Sequence, residues 1–363
     1  MQTLRRALVM PFADFWLLGG LSAVVLGMIW LGADWAHLKP VEQGLPSWVY
    51  YAGFAINYPH FAFSYQLFYK GFLKRLAATD GLFARARLIA AGIAAPLGMG
   101  IYFAAAFAAH NVGMLCDAVM VMLFLVGWHY AKQGYGVLIT SSVYLNIFYT
   151  PGQKRIFYAN AYIVWIYAWI AIHTAPGQAT AFDLFYAIPV MPHPVVVVAT
   201  AAVIVSGILT AGAFIKAGLI DKKGVSWNGV TGYVCAIYLW LLLPQMLNSD
   251  AVFLAVPFFH GLQYLPFVYK YKKSEYGVAP DAPGWKKPAV LLFVFAMAGI
   301  ALGDVFMDVG PKFADQAYAA PAGFTKNFFL ISFTVFINLH HYLIDHSFWR
   351  RDNDGAQKYL FRS

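Results

Sequence analysis

The chain has 363 residues, 61% of them hydrophobic and 11% charged, against about 25% charged in soluble domains, which excludes an ordinary soluble enzyme. At roughly 20 apolar residues per bilayer crossing, this length holds about ten spans and leaves no stretch for a large soluble domain, so residues 1–363 read as a single integral membrane domain. The net charge of +9 comes from 25 lysines and arginines scattered in short clusters between apolar segments, a pattern of membrane topology that requires no nucleic acid partner.

In chain order, Arg5 and Arg6 precede an apolar run from Phe15 to Leu31 without a convincing cleavage motif, so the run reads as a first transmembrane helix. Spanning segments then follow at about Trp48 to Tyr69, Leu88 to Ala109, Val112 to Ala131, Ile156 to Thr174, Pro194 to Lys216, Val230 to Leu247, Ala251 to Tyr269, Pro288 to Met307 and Phe324 to Phe348. Backbone groups in hydrocarbon must be hydrogen-bonded within the protein, and segments this long are helices rather than barrel strands. The predicted fold is an all-α polytopic transmembrane bundle of about ten helices. With the N-terminus in the cytoplasm, 22 of the 25 lysines and arginines fall inside, and Lys39, Lys312 and Lys326 fall outside. Both termini are therefore expected in the cytoplasm, and the membrane is expected to be a bacterial inner membrane. Residues 134–153, with an apolar centre flanked by Gly134, Gly136, Pro151 and Gly152, form a candidate interfacial or re-entrant segment. Cys116 and Cys235 both lie inside apolar segments far apart, so neither a disulfide framework nor a CxxC metal site is available.

The histidines sort by depth. His37, His110, His173 and His193 fall at the outer ends of helices, where a polar side chain costs little. His60, His129, His260, His340, His341 and His346 lie in the inward-running halves of even-numbered helices. His60 precedes Lys70 by ten residues, His260 precedes Lys270 by ten, and His340 and His341 precede Arg350 by ten and nine. At 1.5 Å per residue this places them roughly 15 Å from the cytoplasmic boundary. His129 stands nearer its boundary at Lys132, but Gln133 and Tyr135 suggest that its helix continues.

Polar neighbours accompany each histidine: Asn57, Tyr65 and Gln66 near His60; Gln133 near His129; Gln263 and Tyr264 near His260; Asn338, Tyr342 and Asp345 around His340 and His341. On one helix, Asn338, His341 and Asp345 fall at i, i+3 and i+7, a single stripe, so Asp345 can be a ligand or orient His341. Pro59 removes a backbone donor beside His60, a device found where helices line sites. Neutral imidazoles from separate helices make a metal site without a local motif. Two other readings use the same residues. The histidines could hydrogen-bond between helices as packing contacts, or relay protons with Asp345 in a transporter. Haem ligated by two histidines, in an electron-transfer subunit, is a further version of the metal reading. There is no GxSxG, P-loop, HExxH or HxxHH motif.

Pro59-His60-Phe61 and Trp128-His129-Tyr130 are similar to the histidine contexts of the bacterial Brp/Blh-type β-carotene dioxygenases, polytopic proteins with one iron held by histidines from several helices. The resemblance covers these two motifs. Ser64 and Tyr65 follow His60, and Gln133 stands where that family's WHxxxH pattern has its second histidine. It implies that His60 and His129 resemble iron ligands, with His260 and His340 or His341 completing the set. The segment from Asn338 to Arg351 also resembles segments of bacterial polytopic membrane proteins.

Together these readings predict an integral membrane metalloprotein. Its ligands would be His60, His129, His260, His340 or His341, and Asp345, with Asn57, Gln133, Gln263, Tyr264, Asn338 and His346 around them. The metal is expected to be iron, with zinc or copper as alternatives. The expected chemistry is oxidation or oxygenation of a lipophilic substrate taken from the bilayer, with an electron donor as a candidate partner.

Overall fold

A computed structural model describes residues 7–32, 47–174, 178–181, 184–187, 190–247, 250–277, 288–324 and 327–361. In chain order the helices are α1 (Pro11–Gly32), α2 (Ser47–Tyr69), α3 (Phe72–Ala78), α4 (Leu82–Ala108), α5 (Val112–Tyr144) and α6 (Pro151–Ala171). An antiparallel hairpin of β1 (Gln178–Ala181) and β2 (Leu184–Ala187) follows, with Gln178 opposite Ala187. The chain continues through α7 (His193–Ile220), α8 (Trp227–Met246), α9 (Asp250–Tyr276), α10 (Ala289–Ala319), α11 (Phe328–Phe348) and α12 (Asp354–Phe361).

Seven of these, α1, α4, α5, α7, α8, α10 and α11, are long and apolar enough to cross a membrane. Along α7, Val198, Ile204, Ile208 and Leu209 are all exposed, and lipid covers such a surface without the penalty it would meet in water. The other three segments expected to span fall on α2, α6 and α9, helices of 23, 21 and 27 residues. They are more polar because they carry interior groups: His60, Asn160, His260 and Gln263 are all at most 3% exposed. Residues 134–144, expected as the start of a separate interfacial element, are the unbroken end of α5. That helix has 33 residues, a length of roughly 50 Å, well beyond the hydrocarbon thickness.

The chain's contacts gather into two compact units. The first comprises Met1–Gly53, Gly127–Gly177 and Ile188–Lys270, the second Phe54–Val126, Gln178–Ala187 and Tyr271–Ser363.

In the first unit α6 lies along α7. Phe157 stacks on Phe214 with ring centroids 4.4 Å apart, and the buried amide of Asn160 ties three helices together. Its Nδ2 donates to the Tyr233 hydroxyl at 2.9 Å, while its Oδ1 accepts from Ser206 at 3.0 Å and Tyr238 at 2.9 Å. Thr150 and Gln153 form a reciprocal capping box at the start of α6, satisfying donors that a helix N-terminus leaves open. α8 meets α1 where α1 is broken at Gly19 (φ 175°). A Cβ at Gly19 would stand 2.9 Å from the Thr231 carbonyl oxygen, so only glycine permits this backbone approach.

In the second unit α11 packs on α4 and α10. Phe61, Met307 and Ile337 form an apolar cluster flanked by Tyr58, Tyr65 and Phe336. A Cβ at Gly303 would come within 2.7 Å of the Tyr58 carbonyl oxygen, so α10 rests directly on the backbone next to Pro59. The buried carboxylate of Asp315 accepts from the N–H groups of Phe329 (2.7 Å) and Leu330 (2.9 Å). It thereby satisfies the first turn of α11, the helix that carries His340, His341 and Asp345. At the basic ends of the helices, Lys70 and Lys272 both reach Glu275 at 2.8 Å. Burial pushes the Glu275 carboxyl up, but bonds from Lys272 and then Lys70 outweigh it and hold the group below its ordinary range.

Candidate metal centres

Each unit contains one pair of histidines whose Nε2 atoms meet. In the first unit, His129 on α5 and His260 on α9 bring their Nε2 atoms to 3.1 Å, with the rings 71° apart. In the second, His60 on α2 and His341 on α11 do so at 3.2 Å, with rings at 89°. All four side chains are at most 5% exposed. They and Asp345 are buried groups able to offer ligand atoms to a metal ion.

The second unit's pair is fixed from both sides. His60 Nδ1 donates to the Asn57 carbonyl at 2.6 Å; because a carbonyl can only accept, Nδ1 carries the proton and Nε2 keeps its lone pair toward His341. The Asn57 group that does this is its backbone, one turn back, rather than the amide side chain. His341 Nε2 also stands 3.6 Å from Asp345 Oδ2, one turn along α11. Phe61 meets the edge of the His341 ring with centroids 4.9 Å apart and closes the apolar side.

His340 points elsewhere. Its Nε2 donates to the Ala91 carbonyl at 2.9 Å, and its Nδ1 accepts from the Tyr65 hydroxyl at 2.9 Å. Tyr69 lies against the same ring, its oxygen 3.3 Å from Nε2 while its hydroxyl donates to the Gly92 carbonyl at 2.9 Å. With one nitrogen protonated and the other bonded to a phenol, His340 has no lone pair left for a metal. This separates the two neighbours that the sequence left open, and His341 is the one turned to His60. The acceptors come from a π turn at Ala90–Ala94 in α4. Pro96 follows Ala91 by five residues and Gly92 by four, so it returns an N–H to neither carbonyl.

The first unit's pair rests on a glutamine relay. Gln133 Nε2 donates to the His260 carbonyl at 3.0 Å and to Gln263 Oε1 at 3.1 Å. Gln263 Nε2 in turn donates to the Leu18 carbonyl, within the π turn of α1, and to the Gly232 carbonyl at 3.2 Å. His260 is flanked by Tyr130, 4.7 Å away between ring centroids, and by Trp240, perpendicular at 6.3 Å.

The other predicted site residues sit further out. Asn338 uses both ends of its amide on its own helix, donating to the Thr334 carbonyl at 2.8 Å and accepting from the Tyr342 hydroxyl at 3.0 Å. Tyr264 is buried on α9, and His346 is half-buried near the end of α11. Among the outer histidines, His193 is exposed at the start of α7 and His110 stacks on Phe324 at 4.9 Å. His173 is buried at the end of α6, with Nδ1 donating to the Trp169 carbonyl at 2.6 Å; His37 lies outside the described residues. Tyr65, Tyr69, Pro96, Tyr130 and Trp240 shape the histidine environments. Tyr65 stands five residues after His60 and Tyr130 directly after His129 in the sequence, and Pro96 shows there as a proline inside an apolar run; Tyr69 and Trp240 leave no such trace.

In comparisons with protein-family models, curated proteins and solved structures, nothing matches this chain.

Proposed function

We propose that this is an integral membrane metalloprotein in which His129 with His260, and His60 with His341, are metal ligands, and that it is an oxidoreductase acting on a lipophilic substrate. The observation that carries the reading is the Nε2–Nε2 separation of 3.1 and 3.2 Å in the two pairs. Two imidazole nitrogens each about 2.05 Å from one metal stand that far apart when the angle between them is about 100°, within the range of tetrahedral and octahedral sites. Two histidines on opposite faces of one haem iron would have Nε2 atoms about 4 Å apart, so neither pair has the spacing of bis-histidine haem ligation.

Support also comes from the sequence, where His60, His260 and His341 share a depth below the same kind of basic boundary. The resemblance of the His60 and His129 contexts to carotenoid dioxygenases supports iron. Imidazoles with few carboxylates suit iron, zinc and copper alike, and a metal there would supply Lewis-acid or redox chemistry. Ten spans with both termini in the cytoplasm complete the reading. The positive-inside distribution supports it, with α2, α6 and α9 as the more polar crossings.

The test is the metal content of detergent-purified wild type beside His260→Ala and His341→Ala variants, by elemental mass spectrometry. Near-stoichiometric metal in wild type, lost from the variants, is the expected result and identifies the element. Wild type without metal or haem would overturn the proposal and favour a proton-coupled transporter using the same histidines.

A further inference from the structure

Trp240 is 2% exposed, and its indole Nε1 has no hydrogen-bond partner among the described residues. A buried indole N–H normally finds an acceptor, and inside a membrane-spanning helix no bulk water supplies one. Other buried orphans, such as the hydroxyls of Ser332 and Ser347, can rotate toward carbonyls of their own helix. The Trp240 donor cannot, because it is fixed in the plane of a ring held between two neighbours. Tyr130 meets it at 79° with centroids 5.9 Å apart, and the His260 ring stands perpendicular to it at 6.3 Å. The ring that carries the unanswered donor therefore packs, within the first unit, against His260 of the His129–His260 pair.

We infer that Trp240 is a binding residue for a small hydrogen-bond-accepting ligand, an oxygen-bearing molecule or small anion, lodged beside the His129–His260 pair. The inference rests on the metal reading above for the position of that ligand, since a metal held by two imidazoles keeps further positions for exchangeable ligands. Burial limits the ligand to a few atoms, and a rigid N–H selects one with a lone pair directed at it. Trp240 thus acts as the orienting donor of the pocket, in the way that fixed dipoles act in water-excluded sites.

The test is azide titration, followed by absorption spectroscopy, of the metal-loaded protein in detergent, wild type against Trp240→Phe, with metal content measured in both. The phenylalanine keeps an aromatic ring and removes the N–H. The expected result is equal metal content with azide bound about tenfold more weakly by the variant, the scale of one lost hydrogen bond to a charged acceptor. Equal azide affinity would overturn the inference; so would loss of metal from the variant, which would make Trp240 a structural support, or failure of wild type to bind azide. If wild type holds no metal, the metal reading fails by itself. An experimental structure of that protein then decides Trp240 separately: a water or small ligand on Nε1 supports the inference, and a protein acceptor there overturns it.

Discussion

His340 donates its Nε2–H to the carbonyl of Ala91, 2.9 Å away, and that carbonyl is open because the residue five positions later is Pro96. The π turn at Ala90–Ala94 presents two carbonyls to which Pro96 has no N–H to donate, and His340 and Tyr69 take one each. Since neighbours on a helix diverge by about 100°, anchoring His340 against α4 fixes the rotation of α11 and points His341 toward His60.

The two adjacent histidines should therefore behave differently when replaced. His341→Ala is expected to abolish metal binding at its pair. His340→Ala is expected to keep the metal, at an affinity about tenfold lower because the contact that turns His341 toward His60 is gone, and to lower stability by about 2 kcal/mol, because it leaves the Tyr65 hydroxyl and the Ala91 carbonyl without their partner. Metal analysis paired with thermal unfolding in detergent separates the two; metal loss from both variants alike would show that the neighbours share one role.

Much of this was legible from residue order alone. Long apolar runs identified the helical segments, and the distance of each histidine from the next basic residue singled out His60, His260 and the pair at 340–341. Gln133 and Gln263 stood out as polar residues within a turn of a histidine, and the structure links them to each other and to the His260 backbone. The choice between His340 and His341 was not legible, because it depends on a π turn about 250 positions earlier in the chain. Trp240 was equally hidden. An aromatic residue in a membrane helix reads as a belt or packing residue until its N–H is found buried without an acceptor.

Pro96→Ala tests the π turn itself. A new N–H at position 96 can bond the Ala91 or Gly92 carbonyl and so compete with His340 and Tyr69. Alanine is the better helix former by about 3 kcal/mol, so the melting temperature is expected to hold or rise. Metal affinity at the His60–His341 pair is expected to fall about tenfold, the usual scale for disturbing the supports of a ligand. Metal titration read against melting temperature checks this, and unchanged affinity would remove Pro96 from the site's support.

Asn160 offers a contrast, as a buried polar residue with both ends of its side-chain amide hydrogen-bonded. Asn160→Leu deletes one donated and two accepted bonds and leaves the hydroxyls of Ser206 and Tyr238 to find others. Interhelical hydrogen bonds in membranes average about 0.6 kcal/mol each, so a loss of about 1–3 kcal/mol is expected, at the upper end if the hydroxyls stay unpaired. Metal content should not change. Unfolding in increasing fractions of denaturing detergent measures the first, elemental analysis the second.

The pH dependence expected outside the membrane segments is small and has a definite sign. Asp352 bonds Arg87 at 2.6 Å. Burial pushes its carboxyl up, but the hydrogen bond and charge of Arg87, with Arg350 nearby, outweigh this and hold it below its ordinary value. A carboxylate whose pKa falls on folding adds stability that is fully present above its unfolded value of about 3.9 and is lost as the pH drops through the lower folded value. The side chain is 46% exposed, so the contribution is expected to be under about 1 kcal/mol and to shrink in high salt. Asp352→Asn should therefore lower stability slightly at pH 7, and the difference should vanish once the pH has fallen through the lowered folded value. Melting curves of both proteins from pH 7 down through that value check this, and a difference that persists at the acidic end would mean that Asp352 acts through packing rather than through its charge.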